Sequence, residues 1–179
     1  GGVAYLMQKN NIKVIDGTAT VADKCRLDVN HNGTVTQYRS NHIILATGAR
    51  ARNLPNIEID GDLIWGAREA MTPTTLPGSL LVIGGGAIGV EFASLYNDLG
   101  TDVTLIEAAE RITPAEDAEI SSLAQKSFSQ RGIKVLTSTL VQAVEGAGDQ
   151  AMAIINGPDG ERRQKFDQVI LAVGIQGNI

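Results

Sequence analysis

Cysteine is almost missing from this chain. Cys25 stands alone among 179 residues, so no disulfide framework can form within it, and Cys25 is read as an ordinary strand residue. With only His31 and His42 for company, it cannot contribute to a zinc site of cysteine and histidine ligands, and no metal site is expected. No apolar run is long enough to span a bilayer, and no charged-then-apolar secretory pattern opens the sequence. There is no basic cluster, and a net charge of −5 argues against nucleic acid as a partner. These absences lead to the expectation of a cytoplasmic or mitochondrial-matrix protein with neither a membrane nor a nucleic-acid partner. The 43% apolar content suits a chain that makes one ordinary domain, or one domain plus part of another.

Glycine, by contrast, is placed with purpose. The apolar run Leu80-Leu81-Val82-Ile83 leads directly into Gly84-Gly85-Gly86-Ala87-Ile88-Gly89-Val90-Glu91, a strand, a glycine-rich turn and the start of a helix. In such a turn Gly84 makes the tight bend, Gly86 lets the backbone approach a pyrophosphate, and Gly89 lets helix pack closely on strand. The pyrophosphate would sit on the helix N-terminus, whose first amides lack intrahelical partners and whose dipole favours negative charge. Spacing alone also suits a plain packing turn; the context favours a nucleotide.

That context is a βαβ unit. Phe92, Leu95, Tyr96 and Leu99 recur at helical spacing, Gly100 is a stop, and Val103 to Ile106 reads as the next buried strand. Glu107 closes that strand about 20 residues past the glycines, where a carboxylate can take both hydroxyls of an adenosine ribose. The other reading of Glu107 is an ordinary solvated strand end. A 2′-phosphate would meet Glu107 as a like charge, and Arg111 lies after Glu110, so NAD is expected rather than NADP. Thr113-Pro114-Ala115-Glu116 supplies a helix start with Thr113 as N-cap, and Ile120, Leu123, Ala124 and Phe128 would line its buried face until Gly132. Ile133 to Leu136 reads as a third parallel strand. Hairpins follow, with Leu140 to Val144, Ala151 to Ile155, a Gly157-Pro158-Asp159-Gly160 turn and Arg162 to Phe166, and then a strand from Asp167 to Gly174.

The N-terminal third has another texture. Ile12 to Ile15, Thr18 to Val21, Arg26 to Val29 and Val35 to Tyr38 are short β-prone runs, which together read as a β-meander feeding an apolar strand from His42 to Ala49. A meander with one more strand has little of its own to bury and is expected to be part of a larger domain. The fold class is therefore α/β: a Rossmann-like domain with a three-stranded βαβαβ parallel sheet plus an antiparallel meander over 53–174, preceded by a partial domain over 1–52. Residues 175–179 would begin a return to that first domain.

Gly17-Thr18-Ala19, Ile43 to Ala49, the turn Gly84 to Glu91, Val103 to Glu107 and Ala172-Val173-Gly174, taken in order, resemble the pyridine nucleotide-disulfide oxidoreductases, and among them the dihydrolipoamide dehydrogenase (E3) branch. The resemblance covers essentially the whole chain. It implies an FAD-containing homodimer within 2-oxo acid dehydrogenase complexes, in which electrons pass from dihydrolipoamide through a Cys-x4-Cys disulfide and the flavin to NAD. It implies NAD contacts at Gly84, Gly85, Gly86, Ala87, Ile88, Gly89, Val90, Glu91, Glu107, Val141 and Gly174, and FAD contacts at Ala19, Thr47 and Gly48. This chain would be the central part of such an enzyme, without the flavin-binding glycine motif, the redox cysteines or the His-Glu base, so no catalytic residue is assigned and the chain alone is expected to be inactive. The resemblance implies that Glu91 pairs in relatives with a lysine that this chain lacks, so here it is expected in water or with a substitute partner. Gly174-Ile175-Gln176-Gly177-Asn178 departs from the Gly-Arg-x-Pro-Asn usual in relatives. Two other readings stay open: a stand-alone module that senses NAD or another adenine nucleotide, and a related NADH oxidase or disulfide reductase.

Overall fold

A computed structural model describes residues 1–178; Ile179, the end of the expected 175–179 segment, lies outside the described residues. The chain forms two compact units, Gly1–Thr47 and Gly48–Ile179. The stretch 48–52, which the sequence reading joins to the first section, is thus part of the second unit.

The first unit holds helix α1 (Gly2–Lys9) and strands β1 (Thr18–Asp23), β2 (Arg26–His31) and β3 (Thr34–Arg39). The strands form an antiparallel meander with β2 in the centre, Thr20 opposite Asp28 and Leu27 opposite Tyr38. Asn32 and Gly33, both at positive φ, make the tight β2–β3 turn, and the Asn30 side chain accepts from the Gly33 amide at 3.0 Å. Two expected strands do not form. Ile12 to Ile15 follows α1 as irregular chain, and Ile43 to Ala46 is irregular with Ile44 90% exposed. β-propensity describes how a side chain fits a paired, half-buried surface, and among the described residues no strand lies alongside either run to supply one.

The second unit runs β4 (Ala49–Ala51), β5 (Ile64–Trp65), α2 (Ala67–Ala70), β6 (Ser79–Ile83), α3 (Ala87–Asp98), β7 (Asp102–Ile106), α4 (Ala118–Gln130), β8 (Lys134–Leu136), β9 (Leu140–Ala147), β10 (Gln150–Gly157), β11 (Gly160–Phe166), β12 (Gln168–Leu171) and β13 (Ile175–Gly177). The expected βαβαβ core is present as β6-α3-β7-α4-β8. Its parallel sheet is wider than the three strands read from sequence, because β12 pairs beside β6 and β5 beside β12, giving the order β5-β12-β6-β7-β8. Ala49–Ala51 is all that forms of the expected His42 to Ala49 strand and its continuation, and it pairs antiparallel with β13.

Strand alternation explains how the sheet holds two layers. Leu80 and Val82 of β6, Val103 and Leu105 of β7 and Ile170 of β12 point to one face, where Phe92, Ala93 and Tyr96 of α3 cover them. Leu81, Ile83, Ile106, Val169 and Leu171 point to the other, where Val141, Ala151, Ala153, Ile155 and Phe166 of the β9–β11 meander cover them. Each fully buried aliphatic side chain contributes about 1.5–3 kcal/mol, so this two-sided core dominates the unit's stability. Asp167, at the corner between meander and sheet, accepts from the Ser79 amide at 2.8 Å and from the Gln150 side chain at 2.8 Å, which ties β10 and β12 to the start of β6.

The helices differ from expectation in detail. Leu95 and Leu99 are about half exposed, and Ala93 takes their place in the buried stripe of α3. On α4, Ile120 and Leu123 are exposed while Ser121 is fully buried, its hydroxyl donating to Thr113 O at 3.1 Å. Thr113 is not the N-cap of α4. Asp117 is, its carboxylate accepting from the Glu119 amide at 2.9 Å. Thr113 sits instead at φ 45° with its amide donating to Gly85 O at 2.7 Å, so a tertiary bond to the glycine turn overrides the local capping pattern.

Candidate nucleotide-binding site

The three glycines of the turn stand in three different surroundings. Gly84 ends β6 at φ 106°, and a Cβ there would lie 2.5 Å from the Ala172 carbonyl oxygen. Gly89 lies in the first turn of α3, where a Cβ would fall 1.8 Å from the Gly84 carbonyl oxygen. Gly86, the N-cap of α3, faces open space: a Cβ would meet no protein atom within 4 Å. The protein itself therefore requires glycine at two of these positions but not at Gly86. No side chain caps this end of α3 and no acidic residue occupies its first turn, so its leading amides and the positive end of its dipole are kept for something else.

Glu107 follows β7 and is locked in place. One carboxylate oxygen accepts from the Gly85 amide at 2.6 Å and the other from the Ala109 amide at 2.7 Å. Its own amide donates to Leu136 O at 2.9 Å, so backbone and side chain are both fixed. It is thus not an ordinary solvated strand end. Charge-assisted bonds from backbone amides hold the carboxylate without using all its lone pairs, and each oxygen can still accept a hydroxyl. Arg111 does not approach it; its guanidinium donates to Pro114 O at 3.3 Å.

A cleft of about 580 Å³ opens over the carboxyl ends of the strands. Ala172, Val173 and Gly174 border it after β12, Gly84, Gly86, Ala87 and Ile88 after β6, Glu107 after β7, and Thr139, Leu140 and Val141 beyond β8. The chain proceeds outward from β6 through β7 to β8, while β12 comes in on the other side, so the cleft lies where the strand order reverses. Open α/β sheets bind their ligands at such a point.

Of the residues expected at the site, Gly84, Gly86, Ala87, Ile88, Glu107, Val141 and Gly174 line the cleft. Gly85 and Gly89 do not line it, but the Gly85 amide donates to Glu107 and Gly89 packs against the Gly84 carbonyl. Val90 and Glu91 lie further along α3, with Glu91 exposed. Arg52, Thr139 and Leu140 also line the cleft, and the sequence pattern does not single them out. Arg52 carries no local signal, because it reaches the cleft only through the β4–β13 pairing and a bond from its amide to Gly174 O at 3.0 Å. Ala19 is exposed on β1, opposite Val29, and Thr47 closes the first unit. Gly48 opens the second at φ 75°, its carbonyl accepting from the Asn178 amide at 3.0 Å.

A parallel sheet with this turn, this carboxylate and this cleft defines an α/β protein with an open cleft at the carboxyl ends of its strands. More particularly, the chain belongs to the pyridine nucleotide-disulphide oxidoreductase family, whose model matches residues 1–179. It is 45% identical to the dihydrolipoyl dehydrogenase of Rhizobium etli and 41% identical to that of Zymomonas mobilis, matching over 99% of its own length in both. It covers 40% and 39% of those proteins, so it spans about two fifths of the relatives it matches. Among solved structures it is similar to LpdA of Mycobacterium tuberculosis, with a TM-score of 0.82 and 25% identity over 97% of this chain and 39% of that one. A NAD-dependent persulfide reductase from A. fulgidus superposes with a TM-score of 0.76 and 28% identity over 98% of this chain and 34% of that one.

Proposed function

We propose that this chain is the NAD-binding portion of an FAD-dependent dihydrolipoamide dehydrogenase. The observation that carries the reading is the contrast between Gly86, open to the cleft, and Glu107, held beside it by two backbone amides. Glycine at position 86 answers no steric need of the protein, but it leaves room for a pyrophosphate against the first amides of α3. Glu107 is pre-ordered to accept the adenosine ribose hydroxyls, and its charge opposes a 2′-phosphate there. Val141 would border the adenosine half, and Ala172 to Gly174 the nicotinamide half. When bound, NAD accepts the hydride; the residues of this chain bind and orient it.

The fuller reading is that the parent enzyme oxidises dihydrolipoamide through a redox disulfide and FAD. It would act as a homodimer within 2-oxo acid dehydrogenase complexes of the cytoplasm or the mitochondrial matrix. The 45% and 41% identity to dihydrolipoyl dehydrogenases supports this choice; the fold alone does not make it, since a persulfide reductase superposes with a TM-score of 0.76. Ala19 suits an FAD contact in one respect, since among the described residues β1 pairs only with β2, which leaves its other backbone edge without a strand. Among the described residues no helix is long and apolar enough to cross a membrane.

Calorimetric titration with NAD and NADP tests the nucleotide assignment. NAD should bind more tightly, and Glu107→Ala should weaken NAD by about 1–2 kcal/mol, the loss of charged hydrogen-bond acceptors in a partly exposed site. Tighter binding of NADP by the unmodified chain would sink it.

A further inference from the structure

The nucleotide cleft carries an asymmetry of charge that the glycine turn and Glu107 do not explain. Among the described residues, only two charged side chains line it, Glu107 and Arg52. Glu107 stands after β7, on the side of β6 that leads to β8. Arg52 is fixed on the opposite side, because its amide donates to the carbonyl of Gly174, just past β12, at 3.0 Å. Glu107 is engaged by two amides, whereas the Arg52 guanidinium has no hydrogen bond or ion pair among the described residues. Its neighbour Arg50 shows the alternative fate for a cation here: it donates to Asn178 and Gln176 across the β4–β13 pair, at 3.4 and 3.5 Å. Among the described residues Arg52 is thus an exposed, unpaired cation at the edge of an otherwise largely apolar cleft, its backbone held beside Gly174.

We propose that Arg52 supplies the cation for the dinucleotide's pyrophosphate from the β12 side and, with Glu107 at the other end, sets which way round the dinucleotide lies. The inference rests on the NAD-binding reading above. A dinucleotide has a diol-bearing adenosine at one end and two phosphate charges in its middle. The amides of α3 meet those charges from the β6 side as partial charges. A guanidinium on the β12 side meets them with a full charge and a planar fork that matches phosphate oxygens. Reversal of the dinucleotide would leave the adenosine diol without Glu107. A mononucleotide such as AMP ends before it reaches the β12 side and should gain little from Arg52.

The test is calorimetric titration of the 179-residue chain and its Arg52→Ala and Arg52→Lys variants with AMP, ADP-ribose and NAD, at low and high salt. In Arg52→Ala, NAD and ADP-ribose should each weaken about tenfold, the lower range for a charged hydrogen bond in a solvent-open site, while AMP is unchanged. The salt dependence of NAD binding should flatten in Arg52→Ala, since the screened interaction is gone, and Arg52→Lys should recover part of the affinity. Undiminished NAD binding in Arg52→Ala would overturn the inference while leaving the NAD site standing. Equal weakening of AMP, ADP-ribose and NAD would also overturn it, because that pattern marks a general change in the cleft. If the unmodified chain binds none of the three, the NAD-binding reading itself fails and the role of Arg52 falls with it.

Discussion

Gly86→Ala and Gly89→Ala should fail in opposite ways, although each adds one methyl group to the same turn. At position 89 the new Cβ falls 1.8 Å from the Gly84 carbonyl oxygen, and to reach even 3.0 Å the start of α3 must move away from β6 by about 1.2 Å. The obstacle is backbone, so no rotamer change relieves it, and Phe92, Ala93 and Tyr96 would leave their seats on the sheet together. Overpacking of this kind costs about 3 kcal/mol or more, and the roughly 1 kcal/mol that alanine gains over glycine inside a helix offsets only part of it. A net loss of about 2 kcal/mol lowers the melting temperature of a chain this size by about 4–8 °C. At position 86 the methyl meets no protein atom, and the only loss is a better N-cap residue, about 0.5–1 kcal/mol. That methyl nevertheless projects where a pyrophosphate must approach, so NAD affinity should fall at least about tenfold, which is 1.4 kcal/mol. Thermal unfolding and calorimetric titration of both variants give four numbers. The reasoning is refuted if Gly89→Ala melts with the parent, or if Gly86→Ala binds NAD undiminished.

Two further outcomes are expected. Hydrogen bonds from Gln150 and from the Ser79 amide hold the Asp167 carboxyl below the ordinary aspartate range, so its contribution to stability is present above the unfolded value and is lost as pH falls through the folded one. Asp167→Asn should therefore be less stable than the parent at neutral pH, with the gap closing in acid; a gap that widens in acid, measured by urea unfolding from pH 7 to 3, contradicts this. The 179-residue chain should form no NADH from dihydrolipoamide, even with FAD added, because dithiol oxidation needs a disulfide to attack and Cys25 has no second cysteine in the chain. NADH formation that rises in proportion to the amount of chain would show this reasoning to be wrong.

What could be read from sequence follows from how local each feature is. Leu80 to Ile83 and Val103 to Ile106 are strands buried on both faces, so continuous apolar runs reveal them without knowledge of their neighbours. The close approach of Gly89 to the Gly84 carbonyl is also local, set by one turn of backbone, whereas Gly84 is confined by Ala172 from β12 as well. Thr113 shows where local rules stop: its sequence meets every condition for a cap, yet the Gly85 carbonyl captures its amide and Asp117 caps the helix instead. The buried face of α4 departs from its apolar pattern for a related reason. Ser121 lies under the protein because Thr113 satisfies its hydroxyl, so a polar residue holds a core position while Ile120 and Leu123 face out.

Strand pairing is less local still. Ile12 to Ile15 and Ile43 to Ala46 have the side chains of strands, but a strand is defined by the partners its amides and carbonyls find, and sequence texture does not list those partners. Arg52 is the extreme case. In sequence it is one arginine in the stretch Arg50-Ala51-Arg52, indistinguishable in type from its neighbour two residues before. Only the antiparallel pairing of Ala49–Ala51 with Ile175–Gly177 commits Arg50 to Gln176 and Asn178 and leaves Arg52 at the cleft beside Gly174. The side of the cleft that holds the glycine turn and Glu107, built from a turn and the strand that follows it, could therefore be located directly. The opposite side needs a residue more than a hundred positions away in sequence, and it becomes visible only once β12 and β13 have brought the two ends of this unit together.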